Sequence, residues 1–259
     1  MKTLLCGSFL LAVMVFTACK KNNDSGTPPD SSTGALVRIQ QGTDPDITND
    51  TVYNISYNAS NKISILVDSL YTDTLVATYD GSGNLTAVTD KGGYPINAAL
   101  TYNGSSLTQV DYVLAGSAER YTFEYTGGVV SKENYYSNLG AGPLQLQGYL
   151  TFTVSGGNIT GTKAYHANGV LISEVTLTYG SQPNPFANLC LFNYGNRLGM
   201  DNIAPLEAYF NKNIATGITV SGLSAMSVTN SFDSKSRIGK IIANDNINQE
   251  MFTWMFSYK

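Results

Sequence analysis

Cysteine and histidine are almost missing from this chain, and each shortage closes off a class of chemistry. Of three cysteines, Cys6 lies inside the N-terminal apolar run and Cys19 at its end. Only Cys190 remains beyond it, so that part of the chain cannot form an internal disulfide. The single histidine, His166 in YHANG, precedes an Asn168-Gly169 turn and is expected to be exposed and idle. A hydroxyl or thiol nucleophile needs a base at hydrogen-bond distance, so with one histidine in the chain little of that chemistry is open. Cys190 sits among apolar neighbours in NLCLFNY and reads as a buried, inert thiol. No GxSxG, P-loop or HExxH pattern is present.

Charge is scarce as well. Charged residues make up 13% of the chain and the net charge is -4, with no basic block after the N-terminal region, which excludes a nucleic-acid partner. Asp44, Asp46 and Asp50 in TDPDITND have the oxygen-rich spacing of a calcium loop. They lack its central glycine and closing glutamate, so an ordinary acidic loop is expected and no metal or cofactor is assigned. Long apolar runs are limited to Leu4–Phe16, too short for a bilayer core that needs about 20 residues.

That run is better read as a targeting signal. Lys2 precedes it, and Phe16-Thr17-Ala18-Cys19 follows, with small residues before the cysteine. The arrangement resembles a bacterial lipoprotein signal over residues 1–18. The resemblance implies that Cys19 becomes a diacylated N-terminus and that the protein is held at a membrane by two acyl chains. Residues 19–34, rich in Pro, Gly, Ser and Asn, read as a flexible tether. Residues 35–259 read as a single β domain.

What the chain has in excess is tyrosine and glycine, 17 and 25 residues, the mixture expected of many short strands joined by tight turns. Tyr57, Tyr79, Tyr102 and Tyr125 recur 22, 23 and 23 residues apart, each followed by a polar turn (NASNK, DGSGN, NGSS, TGG) and then by Ile63, Leu85, Leu107 or Val129. VSGGNI at 154–159 and FDSKSRI at 232–238 are looser copies. Tyr121, Phe123 and Tyr125 alternate with Thr122 and Glu124, as strand residues do. One hairpin per repeat predicts an all-β antiparallel meander of twelve to sixteen strands, of roughly seven to eight residues each. Such a meander forms a strongly curved sheet or partly closed barrel. Residues 181–222 break the pattern. Two prolines open the segment, and Ile203, Leu206 and Phe210 fall at helical spacing, so a short helical insertion covering a sheet end or edge is expected there.

The units TYDGSGNLTAV, TYNGSSLTQV and SFDSKSRIGKI resemble the hairpins of YD-repeat (RHS-like) proteins. Together with the lipobox, Asn184-Pro185-Phe186 and AYFNKN at 208–213, they resemble a family of Bacteroidota cell-envelope lipoproteins with a porin-like all-β fold. That resemblance implies an outer-membrane lipoprotein, on the periplasmic or the surface side, with no catalytic residues to carry over. The strand length expected from the repeat falls short of the 9 to 11 residues of a membrane-spanning strand, and an anchored, water-facing domain is the reading preferred. Lys20 to Asp24 loosely resemble a surface-export signal.

Surplus aromatics offer the candidate ligand contacts. Tyr135, Tyr136 and Trp254 lie outside the repeat period and have the stacking faces that suit a glycan. Asp50-Thr51-Val52, Asp68-Ser69-Leu70 and Asp73-Thr74-Leu75 resemble acceptors for O-glycosylation at Thr51, Ser69 and Thr74. The reading is a lipid-anchored, non-enzymatic envelope protein that binds a glycan, a lipid or an envelope protein. Its rivals are a pure scaffold and a glycan-active enzyme built on paired carboxylates.

Overall fold

Each repeat does form a hairpin, and the hairpins close on one another. The computed structural model describes residues 35–42, 51–69, 74–92, 97–114, 117–138, 142–184, 189, 211–221, 223–235, 237–246 and 250–259. The strands are β1 (Leu36–Gly42), β2 (Thr51–Tyr57), β3 (Ile63–Asp68), β4 (Thr74–Tyr79), β5 (Leu85–Asp90), β6 (Asn97–Asn103), β7 (Ser106–Leu114) and β8 (Ser117–Thr126). They continue as β9 (Val129–Asn138), β10 (Gln145–Ser155), β11 (Asn158–His166), β12 (Leu171–Pro183), β13 (Asn213–Val220), β14 (Leu223–Phe232), β15 (Ile238–Asp245) and β16 (Glu250–Tyr258). Every strand pairs antiparallel with its sequence neighbours, and β1 pairs with β16 to complete a closed barrel.

The closure explains why β1 and β16 look incomplete. Seven cross-strand pairs mark the turn end of the barrel: Tyr57 with Ile63, Tyr79 with Leu85, Tyr102 with Leu107, Tyr125 with Val130, Val154 with Ile159, Tyr179 with Ala215 and Phe232 with Ile238. A register shift sits beside each of them. The eighth such pair is Tyr258 with Leu36, again beside a shift, so the chain enters and leaves the barrel where the turn of an eighth hairpin would be. The bulges re-aim each strand and increase local twist, which helps a meander to close.

The repeat residues do this structural work through named bonds. The hydroxyls of Tyr57, Tyr79, Tyr125, Tyr179 and Tyr258 donate to the backbone carbonyls of Leu36, Ile63, Leu107, Ile159 and Ile238, at 2.7, 2.7, 2.7, 2.6 and 3.0 Å. Each acceptor is the first or second residue of the closing strand of the preceding hairpin, so the tyrosines staple neighbouring hairpins into a belt. The residue after the aromatic caps the turn. Asn58 accepts from the Lys62 N–H, Asp80 from that of Asn84 and Asp233 from that of Arg237, at 3.0, 2.7 and 2.9 Å. The third turn residue after this cap lies in left-handed space, φ +57° at Asn61 and +82° at Gly83. That region favours Gly and Asn over other side chains.

Inside, the strands present a regular stack. Counting from the residue that pairs with the aromatic at the turn end, positions three and five further on point inward: Ile39 and Gln41, Leu66 and Asp68, Val88 and Asp90, Val110 and Tyr112, Glu133 and Tyr135, Ile241 and Ala243. Ile39, Val88, Val110 and Trp254 have no solvent exposure. A round sixteen-stranded wall would enclose a wide lumen, but at these layers the barrel holds a packed core.

Two expectations need correction. The wall β2–β6 has strands of six or seven residues, slightly shorter than the seven to eight the repeat implies, but β8, β9, β10 and β12 have 10, 10, 11 and 13. At about 3.3 Å per residue the strands of one wall are roughly 20–23 Å long and those of the other roughly 33 Å or more. The break expected at 181–222 is also narrower. Residues 181–183 finish β12 and Asn213–Val220 is a strand, because the Ile214, Ile218 and Val220 side chains of NIATGITV suit a sheet better than a helix. No helix occurs among the described residues, and the predicted helical segment around Ile203, Leu206 and Phe210 lies outside them.

The insertion thus replaces the turn between β12 and β13, and asparagines pin its ends. Asn211, 1% exposed, donates to the Tyr179 hydroxyl at 2.7 Å and accepts the Ile159 N–H. Asn158 and Asn213 bond reciprocally, at 3.1 and 2.9 Å.

Candidate functional site

Chemistry-bearing side chains gather in the upper interior, toward the end opposite the turns. Tyr112 on β7, Glu119 and Tyr121 on β8, and Glu133, Tyr135 and Ser137 on β9 all lie on the inner face. Register places Tyr112 beside Glu119 and Glu119 beside Ser137. One row lower, Tyr121 pairs with Tyr135, then Phe123 with Glu133. The phenol rings pack against one another, Tyr112 edge-on to Tyr121 at 5.7 Å and Tyr121 stacked on Tyr135 at 5.0 Å.

The Tyr121 hydroxyl donates to the Glu119 carboxylate at 3.2 Å. Burial pushes the Glu119 pKa up, against the opposing pull of hydrogen bonds from Tyr121 and Tyr135. Burial raises Tyr121 and Tyr135 as well, with the nearby Glu119 charge acting in the same direction. This arrangement suits a carboxyl group that holds a proton or a cationic group. The phenols around it are poor nucleophiles at neutral pH because their pKa values are raised.

The outer face of the wall β7–β12 is built differently. Lys163 on β11 pairs with Glu174 on β12 at 2.5 Å, Lys132 with Glu124 at 3.2 Å, and Arg120 with Asp111 at 2.6 Å. Lys132 also lies 4.8 Å from the ring centre of Tyr149, whose opposite neighbour Tyr165 stacks on it at 4.8 Å and 14°. Hydroxyls, among them Thr122, Thr151 and Thr176, complete the surface.

The sequence candidates fall on both sides of this wall. Tyr135 is 7% exposed and belongs to the interior ring stack. Trp254 is fully buried and stacks on Phe252 at 6.1 Å. Tyr136 points outward, opposite Arg120 and Leu146, and is half-buried. The three aromatics therefore do not form one exposed patch. Thr51 and Thr74 are partly buried and Ser69 exposed, on adjacent strands at the upper rim. His166 is exposed, and its backbone closes the predicted turn through bonds with Gly169 and Val170. Cys19, Cys190, Asp44, Asp46 and Asp50 lie outside the described residues. Among the described residues no three His, Cys, Asp or Glu side chains converge on a metal position.

Glu119 was missed by sequence reasoning, although the alternation that puts Tyr121 and Phe123 on one face puts Glu119 there too. The charge difference between the barrel ends was also missed, since it depends on which residues the closure gathers. Among the described residues, the turn end carries Lys62, Lys212, Lys235, Arg237 and Lys259 against Asp80 and Asp233. Apart from the Arg120–Asp111 and Lys163–Glu174 pairs, the charged residues described at the opposite end are Asp68, Asp90, Glu119, Asp245 and Glu250 against Lys91.

No family model and no curated protein sequence matches this chain. Among solved structures it is similar to a porin-like protein from Bacteroides uniformis ATCC 8492, with 14% identity and a TM-score of 0.55, over 86% of this chain and 98% of that one. A porin-like protein from Bacteroides vulgatus ATCC 8482 is similar at 13% identity and a TM-score of 0.48, over 87% and 99%. The first likeness establishes a shared barrel fold.

Proposed function

We propose that this protein is a lipid-anchored cell-envelope barrel that stands in water beside its membrane and binds a partner, a glycan, a lipid or an envelope protein. The observation that carries the reading is the polarity of its wall. The tall strands β8–β12 are long enough to cross a bilayer, and a membrane barrel of such strands presents an apolar band to lipid over a polar interior. Here the order is reversed. Lys163 and Glu174 are about half exposed on the outer face, at 52% and 49%, while Leu150, Tyr121 and Val110 fill the inside. A wall of this kind stays in water, and attachment falls to the proposed diacylated Cys19, whose two acyl chains suffice for stable anchoring.

Similarity to a Bacteroides porin-like protein and the lipoprotein-like signal both favour the envelope of a Bacteroidota-type cell. Binding is preferred to catalysis because the interior cluster pairs its raised carboxyl with phenols rather than with a base and nucleophile. Membrane extraction tests the reading. The full chain, expressed with its signal, is expected to incorporate labelled palmitate and to stay with membranes through alkaline washing. Cys19→Ser is expected to appear in the aqueous fraction. A Cys19→Ser protein that still resists the alkaline wash would establish a spanning barrel and end the proposal.

A further inference from the structure

Among the described residues the two ends of the barrel differ in charge, and the chain's entry point selects one of them. We propose that the turn end is a docking surface for the anionic headgroups of the phospholipid membrane to which the protein is tethered, so that the opposite, acidic end points away. The proposal rests on the anchored reading above and adds an orientation to it.

Two observations meet at this end. The first is charge. Lys62, Lys212, Lys235, Arg237 and Lys259 all belong to turns or strand ends of the tyrosine belt, and Lys212, Lys235 and Lys259 are exposed. Asp233 is engaged with Arg237, Nη2 to Oδ2 at 2.7 Å, and Asp80 with its own turn. With those acids engaged locally, the exposed lysines dominate the described part of this surface. Lys62 and Lys259 are held near the faces of Tyr79 and Tyr57, at 5.2 and 5.9 Å. The far end is acidic, with Glu250 exposed and Glu119 and Asp245 partly so.

The second is the tether. The Ala35 carbonyl accepts the Lys259 N–H at 3.1 Å, so residues 19–34 join the barrel at the cationic end. Fifteen residues separate Cys19 from Ala35, and a Gly/Ser-rich linker of that length spans on average about 20–23 Å. That is less than the roughly 33 Å length of the tall strands. A tether of this length holds the entry end next to the membrane, where an anionic surface favours each added lysine by about fivefold in partition. Repulsion of the acidic end acts in the same direction.

The test uses the unlipidated chain, Cys19→Ser without its signal, so that binding is read independently of acylation; the barrel closes within Leu36–Tyr258 and carries its own core. Sedimentation with vesicles of phosphatidylcholine, with and without phosphatidylglycerol, is expected to show binding only to the anionic vesicles, lost at high salt. The triple change K212Q/K235Q/K259Q is expected to lower that binding by about tenfold or more, and K91Q, at the far end, to leave it unchanged. As a second measurement on the lipidated full chain, a fluorophore at Ser105→Cys in a turn is expected to be quenched by lipid-borne quencher more strongly than one at Ala167→Cys. Equal binding to both vesicle types, binding by neither, an unaffected triple variant or equal quenching would each overturn the docking surface. Failure of palmitate labelling would overturn the anchor and leave the vesicle result standing.

Discussion

Tyr57 donates its hydroxyl proton to the carbonyl of Leu36 at 2.7 Å, although the two residues belong to strands on either side of a long connection. The same relationship recurs at Tyr79, Tyr125, Tyr179 and Tyr258. Replacing Tyr79 or Tyr125 by Phe keeps the ring and leaves the carbonyls of Ile63 or Leu107 without their donor. Each change is expected to cost about 1 kcal/mol in urea unfolding. Tyr57→Phe should cost as much and act on closure, since Leu36 belongs to the strand that seals the barrel. Wild-type stability in all three variants would remove the belt from the account of the fold.

The belt also predicts how the protein responds to alkali. Burial, aided at Tyr79 by the nearby Tyr57, pushes the hydroxyls of Tyr79 and Tyr258 up to about 12. Their folded pKa lies above the unfolded value near 10, so the neutral phenol is the form the fold favours. Their contribution to stability is complete below about pH 10 and is lost as pH rises toward 12. Denaturation midpoints should be flat from neutral pH to about 10 and then fall, with tyrosinate absorbance rising late. A decline beginning near neutral pH would contradict this assignment.

Turn chemistry supplies a sharper local test. Gly83 occupies left-handed space at φ +82°, and the equivalent residue of the preceding hairpin is Asn61 at +57°. Gly83→Ala is expected to destabilise by about 1–2 kcal/mol, with the Lys62 ammonium shifting to make room for the new methyl group. Asn61→Gly should be neutral or slightly stabilising. The reverse ranking in denaturant would show that these turns are not held in the geometry described.

The hairpins were legible in the sequence because each residue type has a local cause. The tyrosine sits at the bulge, the Asp or Asn caps the turn, and Asn or Gly takes the positive φ. Closure was not legible, since Leu36 and Tyr258 are two halves of one repeat placed at opposite ends of the domain. The tall wall was hidden for a related reason. Beyond Val129 the spacing of the repeat stretches, and a period measured at Tyr57 to Tyr125 underestimates β10 and β12. Glu119 could be read only by carrying the alternation of Tyr121 and Phe123 two residues back, across a side chain that hydrophobicity alone would place outside.

The outer wall yields a prediction about what does not matter. The Lys163–Glu174 pair is half exposed on both partners, and pairs of this kind contribute about 0–1 kcal/mol. K163Q/E174Q should therefore change stability by less than about 1 kcal/mol and leave the membrane partition of the lipidated protein as it was. A marked gain in detergent-resistant membrane association would mean that this wall faces lipid, contrary to the proposed function.

Trp254 gives the most direct check on the interior. It is the chain's single tryptophan, and it has no solvent exposure, with Ile241 and Gln41 as its cross-strand neighbours. A channel running through the barrel would wet it; a packed core keeps it dry. Its emission should be blue-shifted, resist quenching by acrylamide, and move to the red in the same urea transition that unfolds the sheet. Trp254→Phe fills most of the same space and should cost a few kcal/mol at most, whereas Trp254→Ala should cost about 3–5 kcal/mol. Were the native emission already red-shifted and freely quenched, water would reach the layer that also holds Ile39, Val88 and Val110. The outward ion pairs would then no longer argue for an inverted wall, and an open, polar-lined barrel would take the place of the one described.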